Sequence, residues 1–598
     1  MTDSQHARHT NNKKKRNTTL LGLLAVAVVA LAGLGIFTFT QLASAKGDID
    51  GAATNASGLQ TALESGDQPA AARSLTSLQT NIGSADSTLG SFVFSAASKL
   101  PVLGKNVDAV RTVTSSLKQV ADTGLPPLVD IADQFNGKTF NPQGGAINVD
   151  AIAGIGPNVA KAGKVITAAS GEVDRINTSA LMGSLQGPVK DVQDKLSHAS
   201  EISKRATTAS EVVPQMLSGK HTYLLLFQNN AEIRATGGLP GAYAVLNIDN
   251  GKIKLGEQGS GGSMGSLDYD ATDISDEETE LFDTKLVTDF RDINFTPDFP
   301  RAASIGAEII KREKNIDVDG VLSLDPVTLS YVLKGLGPVT LADGTTLTAD
   351  NAVDVLLNGV YVAYPDLRDG GAAQDAFFAS ATKQIFDKVL SGEGDPNALL
   401  KALTRATNER RVQVWDKSSE ISTLLSGTAV AGELPVDKAA KSTLGFYLND
   451  ATGAKMQYYL DYDVEAKASK CTDAGAQTYS TVTTLRSTAP ADSATLPESI
   501  RGPGFGAPAG SMLMNVYVYA PNGGKVTDVT IDKEEVATFP GTHEGRGVRL
   551  VTVQINPGQT VTVEATVVSG KDQRGDARVL ATPGIKPGTK GSVVKSAC

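Results

Sequence analysis

The stretch Tyr223-Leu-Leu-Leu-Phe-Gln-Asn-Asn-Ala-Glu-Ile-Arg-Ala-Thr-Gly-Gly-Leu-Pro-Gly-Ala-Tyr-Ala-Val-Leu-Asn-Ile-Asp249 divides into an apolar run, a polar loop and a second apolar run. Short apolar runs bounded by turn residues read as buried strands. The loop packs Gln228, Asn229, Asn230, Glu232 and Arg234 together and then adds Gly237 and Gly238. Two readings stay open for it. So many polar groups between core strands point to ligand binding. Alternatively, Arg234 pairs with Glu232 or a nearby Asp to close the loop, and Asn229 and Asn230 bond turn backbone.

Around this hairpin, residues 218–405 alternate strands and helices. Tyr223–Phe227, Ala242–Ile248, Gly320–Leu324 and Pro338–Leu341 are the expected strands. Pro300–Arg312, Pro326–Lys334, Ala349–Val360 and Ala372–Leu390 are the expected helices. That order predicts a central α/β or α+β domain with a covered sheet. Glu257 to Glu280 is rich in Gly and Ser and then acidic, and reads as a mobile surface loop.

The flanks differ from this domain and from each other. Residues 46–215 are rich in Ala, Ser, Thr and Gly, with apolar residues at helical spacing. Ala71, Leu75, Leu78, Ile82, Ala85, Leu89 and Phe92 form one seam; Val110, Val113, Leu117 and Val120 another; Val189, Val192, Leu196 and Ala199 a third. Pro101, Pro126, Pro127, Pro142, Pro157 and Pro188 are expected to divide the region into separate helices of a bundle or stalk. Over residues 445–598 the period becomes two, as in Met456, Tyr458, Leu460, Tyr462 and Val464, and in Val561, Val563, Ala565 and Val567 after the Pro557-Gly558 turn. This predicts a β-sandwich. Residues 406–444 are polar and mixed and read as a connector.

At 598 residues the chain exceeds what one core supports, and its net charge of −10 disfavours nucleic acid as a partner. Residues 1–17 form a basic tail with Lys13, Lys14, Lys15 and Arg16; the uncharged run Leu20–Phe39 lies in an expected transmembrane anchor over 18–42. The positive-inside rule keeps the N-terminus cytoplasmic and the bulk extracytoplasmic, in a single-pass membrane protein. A cleaved signal peptide ending at Ala43-Ser44-Ala45 is the rival reading, with a shorter apolar region than this one expected. Either way the rest is exported, where the two cysteines, Cys471 and Cys598, are expected to pair.

Several reaction chemistries lack their motifs. There is no His-Glu-x-x-His, and the five histidines are scattered. Gly259-Ser-Gly-Gly-Ser-Met-Gly265 is not followed by Gly-Lys-Ser/Thr, and no Gly-x-Ser-x-Gly elbow occurs. What remains is an arginine, amide and carboxylate set: Arg234, Arg291, Asp298, Arg301, Asp366, Arg368, Asp369 and Gln374. Arginines grip phosphate oxygens in pairs of bonds and carboxylates hold magnesium, so together they would suit a pyrophosphate-bearing ligand.

The run Leu225–Gly238 resembles the signature of the bacterial family catalogued as domain of unknown function 4012. The likeness takes in Asp298–Arg301, Val318–Pro326, Gly445–Leu460 and Thr582–Gly584. It implies a membrane-anchored envelope protein, in a family where some members accompany exopolysaccharide genes. A second likeness, through Ile316–Val339 and Leu347–Val353, is to the LytR-CpsA-Psr domain. That family transfers glycopolymers from polyprenyl-pyrophosphate to the cell wall, with arginines on pyrophosphate and acidic residues on magnesium. By this resemblance Arg234, Arg301, Arg368 and Gln374, with Asn229, Asn230 and Glu232, would face the ligand, and Asp298 or Asp366 would hold Mg2+. The chain departs from that pattern, since the Arg-x-Arg pair is reduced to Arg368 and the arginine before Gln374 is missing. The expected protein is therefore a multidomain α+β envelope protein that binds or organises cell-wall glycopolymer or exopolysaccharide without catalysis. A glycopolymer phosphotransferase is the alternative.

Overall fold

The computed structural model describes residues 57–63, 66–89, 104–135, 142–365, 371–437, 442–504, 506–586 and 593–598. The expected basic tail and transmembrane anchor lie outside the described residues, as do Asp366 and Arg368. No described helix is long and apolar enough to cross a membrane. The chain forms two compact units, one of residues up to Thr139 with Ala153–Ser210, the other of Phe140–Ile152 with Glu211–Cys598.

The first unit is helical. Its helices are Gln68–Leu89, Gly104–Gln119 and most of Val149–Asp174 and Gly183–Leu217. The heptad-like seams point inward: Ala71, Leu75, Leu78, Ile82 and Leu89 are buried, and so are Val113, Leu117, Val120, Val189, Val192, Leu196 and Ala199. Gln193 Nε2 donates to the carbonyls of Val173 and Ile176, tying the end of one long helix to the next. Pro126 and Pro127 open a short helix, Pro126–Asp130, where no donor is needed. Pro157 and Pro188, by contrast, do not end helices. Pro157 lies inside Val149–Asp174, and Pro188 lies within Gly183–Leu217. A proline costs a helix one backbone bond and crowds the preceding turn. Ala153, Gly154 and Gly156 are small there, and a buried seam that includes Ile155 and Val159 holds both sides of Pro157 in place.

The second unit contains three main sheets. Strands β1 (Lys220–Asn229), β2 (Leu239–Asp249) and β3 (Lys252–Ser260) form antiparallel hairpins. Beyond β1 lies β4 (Gly320–Leu324), parallel to it; a separate two-strand hairpin pairs β5 (Val339–Thr340) with β6 (Thr346–Leu347). Strand β7 (Gln413–Asp416) then closes the central sheet in the order β3-β2-β1-β4-β7. Helix Phe299–Lys314 packs on it through Ala303, Ile305, Ile309 and Ile310. Residues 406–444 are thus more than a connector, because β7 is the fifth strand and Ser419–Leu425 a helix behind it.

The segment from Glu257 to Glu280 is loop only in its middle, over residues 265–275. It begins in β3 and ends in helix Asp276–Phe282, whose Ser275 and Glu278 form a reciprocal capping box. The expected helix Ala349–Val360 begins at Ala352 and runs on to Ala363 through one wide turn, Val355–Gly359, without leaving helical backbone. A second turn of this wide type, Val120–Gly124, lies in the first unit.

The C-terminal strands build a β-sandwich. One sheet runs β14 (Phe539–His543), β15 (Arg546–Ile555), β11 (Met512–Asn522), β8 (Ser442–Asp450), β17 (Ala577–Ala581) and β18 (Val593–Val594). The other runs β13 (Glu534–Glu535), β12 (Lys525–Ile531), β16 (Thr560–Val568), β10 (Gln477–Ser487) and β9 (Leu460–Cys471). Leu444, Phe446, Val516 and Val518 from the first meet Leu485, Val561 and Val563 from the second in one core. The alternation starting at Met456 becomes strand only from Leu460, because Met456–Tyr459 is a short helical turn. All nine residues of β8 are buried. Its other face carries Tyr447, which packs with Tyr517, Tyr519 and Val548 into the core of the central sheet's helices. Cys471 and Cys598 are joined by a disulfide that ties the end of β9 to the last residue.

Candidate functional site

The polar loop between β1 and β2 is an internal joint. A register shift between Phe227 and Gln228 turns the Gln228 side chain inward. Gln228 Nε2 donates to Ser323 Oγ (2.9 Å) and Gln413 Oε1 (3.2 Å), while its Oε1 accepts from Thr236 Oγ1 and the Gly238 amide. One side chain thus stitches the loop to three strands. Gly238 lies so close to β1 that a Cβ there would meet the Asn229 carbonyl carbon at 2.2 Å.

The next residues are spent in the same way. Asn229 Nδ2 donates to the Tyr361 hydroxyl at 2.7 Å and its Oδ1 accepts from Ala231 N. Asn230, with no exposed surface, donates to Asp325 Oδ2 (3.2 Å) and to the Pro583 carbonyl. Arg411 donates to the same Asp325 oxygen at 2.6 Å and to the Gly584 carbonyl. Three contacts lace the loop backbone to the sandwich. Asp450 N donates to Ile233 O, Ala235 N to Asn449 Oδ1, and Thr582 Oγ1 to Ala235 O.

Arg234 is 4% exposed. Its Nη2 and Nε lie 2.9 and 3.2 Å from Asp292 Oδ1, Glu232 is 3.5 Å away, and the Phe295 ring centroid is at 4.8 Å. Burial alone would lower its pKa; the charges of Asp292 and Glu232 outweigh that and raise it. Lys455, 3.3 Å from Glu232 and over the Tyr361 ring, follows the same logic. Burial pushes the carboxyls of Asp292 and Asp450 up, with Arg234 acting against it in both. The joint therefore holds three cations, Arg234, Arg411 and Lys455, and four carboxylates, Glu232, Asp292, Asp325 and Asp450, each bonded within the protein.

The other candidates lie elsewhere. Arg301 donates to Glu278 through Nε (2.7 Å) and Nη2 (3.1 Å), and to the Asp273 carbonyl, fastening helix Asp276–Phe282. Among the described residues Arg234 and Arg301 share no bonded partner. Gln374 donates to the Tyr364 carbonyl. Asp298 caps helix Phe299–Lys314, and its two oxygens accept from Arg301 N and Leu434 N. Burial pushes its carboxyl up to about 6. A carboxylate already bonded through both oxygens and easily protonated is a poor magnesium ligand, so Asp298 does not fit that role. No group of three or more His, Cys, Asp or Glu among the described residues could hold a metal ion. Asp292, Asp325, Tyr361, Arg411, Asn449 and Lys455, which complete the joint, carry no local sequence signal, because they reach it from distant parts of the chain.

A buried polar joint between a five-stranded mixed sheet and a β-sandwich defines an α+β protein whose most polar motif faces inward. The family model described as Protein of unknown function (DUF4012) matches residues 218–361, from the start of the hairpin to the Tyr361 partner of Asn229. Over these residues the chain is similar to that family, in line with the resemblance of Leu225–Gly238. No curated protein matches the chain.

Proposed function

We propose that this is a membrane-anchored, extracytoplasmic envelope protein that binds or organises cell-wall glycopolymer or exopolysaccharide without catalysing its transfer. One observation carries the non-catalytic reading: Arg234 and Arg301 are each consumed by carboxylates of the protein, Asp292 with Glu232 and Glu278. A pyrophosphate would have to displace those partners before either arginine could stabilise its charge. The disulfide between Cys471 and Cys598 supports export, since such bonds persist in oxidising compartments. The phosphotransferase reading, taken from likeness to the LytR-CpsA-Psr domain, would need an open arginine groove.

The test uses the full-length chain with a fluorescent polyprenyl-pyrophosphate analogue and magnesium, and in parallel with purified cell-wall glycopolymer. Polymer retention without pyrophosphate release is the expected result. Magnesium-dependent release that Arg301→Gln abolishes in a folded protein would replace this reading with the transferase.

A further inference from the structure

A second contact between residues 218–361 and the sandwich lies apart from the polar loop. Helix Asp276–Phe282 rests on β14 and β11. Glu277 accepts from Thr542 Oγ1 at 2.6 Å and from the Glu544 amide at 3.2 Å. Leu281 sits over Gly541, where a Cβ would lie 2.8 Å from its Cδ2, and the Leu281 carbonyl accepts from the Tyr517 hydroxyl at 2.9 Å. Phe282 packs edge-on to His543, with ring centroids 5.4 Å apart, and its centroid lies 5.7 Å from that of Tyr517.

His543 is buried, and its Nδ1 lies 3.0 Å from the Tyr519 hydroxyl. Tyr519 has no exposed surface, and that hydroxyl has no other hydrogen-bond partner among the described residues. A buried hydroxyl needs an acceptor for its hydrogen, so it donates to Nδ1, and the imidazole is neutral with its proton on Nε2. An imidazolium would carry a proton on Nδ1 as well, and the Tyr519 hydrogen would then have no acceptor.

The titratable groups around the ring offer it no paired countercharge. On the helix, both oxygens of Glu277 are bonded as above, and those of Glu278 are taken by Arg301 and the Ser275 amide. Arg546 on β15 is paired with Asp437, and Glu544 in the β14–β15 turn is exposed. Tyr517 and Tyr519 on β11 are phenols, as is Tyr447 of β8, which packs on Tyr519. Among the described residues no carboxylate lies at ion-pair distance from His543. Burial lowers the His543 pKa from the ordinary 6.5; Glu278, Glu544 and Glu277 oppose this and Arg546 adds to it. A depressed value means that the released ring binds the proton more tightly than the docked one. Docking is therefore fully favoured above 6.5 and weakens as pH falls below it. We propose that His543 is a proton-operated latch, which holds helix Asp276–Phe282 on the sandwich while neutral and releases it when mild acid charges the ring. Release would bare the apolar side chains of Leu281 and Phe282 and the ring of Tyr517, all buried when the helix is docked. This device stands independently of the glycopolymer reading.

Amide hydrogen exchange on the full-length chain, corrected for the intrinsic effect of pH on exchange, tests the latch. Between about pH 7.5 and pH 5, protection of Asp276–Phe282 is expected to fall about five-fold or more, while helix Phe299–Lys314 keeps its protection. Asp298 titrates in the same range with the opposite sign, so variants are compared with the unaltered chain at each pH. His543→Gln offers Tyr519 a neutral acceptor and should make protection of Asp276–Phe282 independent of pH. Tyr519→Phe removes the hydroxyl that opposes protonation and should move the loss to higher pH; it carries the test by itself if the glutamine variant does not fold. Three results would overturn the proposal: protection of Asp276–Phe282 that does not change with pH in the unaltered chain, an equal fall in His543→Gln, or equal loosening of Phe299–Lys314.

Discussion

Arg234 is the residue whose chemistry most constrains what this protein can do. Its guanidinium is sealed between Asp292 and Glu232, so its removal strands two carboxylates in a buried site. Arg234→Ala should therefore lower the unfolding free energy by about 3–5 kcal/mol, read from urea denaturation. Arg234→Lys should recover only part of that, because an ammonium cannot reproduce the planar fork. An unchanged denaturation midpoint in the alanine variant would refute the structural role. Asp298 behaves oppositely. Its folded pKa of about 6 lies above the ordinary 3.8, so the folded chain holds the proton more tightly than the unfolded one. The group costs nothing below both values, and its cost grows as pH rises through about 6. Asp298→Asn keeps a capping side chain and removes the charge. It should stabilise the protein at pH 8 but not at pH 3.5, as thermal melts at the two pH values would show. The spacing of Asn229, Asn230, Glu232 and Arg234 marked them as important. Nothing in it said that Asp292 and Lys455 would complete their bonding, since those partners are distant in sequence.

Among the elements, the β1–β2 hairpin and the Asp276–Phe282 helix show two ways in which a short sequence sets geometry. At the hairpin, Gly238 lets the loop backbone touch β1. Gly238→Ala would drive a methyl to 2.2 Å from the Asn229 carbonyl carbon and should cost roughly 3 kcal/mol, measurable in chemical denaturation. At the helix, Ser275 and Glu278 cap each other and Arg301 clamps Glu278. Ser275→Ala should cost about 1 kcal/mol, and faster amide exchange in Asp276–Phe282 would show whether the loss is local. The acidic run is loop through Asp273, as its composition suggests, and turns helical at Asp276 because Ser275 and Glu278 cap that end. Buried strands and long amphipathic helices were legible, since their periodicity is a property of the chain itself. Pro157 and Pro188 misled because the packing that tolerates them is tertiary.

For the whole molecule, the second unit is held together by shared surfaces rather than by linkers. Strand β8 serves the sandwich core with Leu444 and Phe446 and the central core with Tyr447. The disulfide adds a covalent tie across 127 residues between β9 and the C-terminus. Replacing Cys471 and Cys598 with serine should cost about 2–4 kcal/mol. Melting of the unaltered protein with and without reductant should show a matching difference, and equal melting temperatures would deny the tie a stabilising role.

By itself the sequence determined the succession of helical, mixed and β regions, the hairpin at its centre and the pairing of its two cysteines, because these follow from local periodicity, turn residues and cysteine count. Only the tertiary structure decided which way the polar loop faces. Burial and pairing depend on Asp292, Asp325, Arg411, Asn449 and Lys455, which come from other elements, and no local pattern encodes where those elements meet.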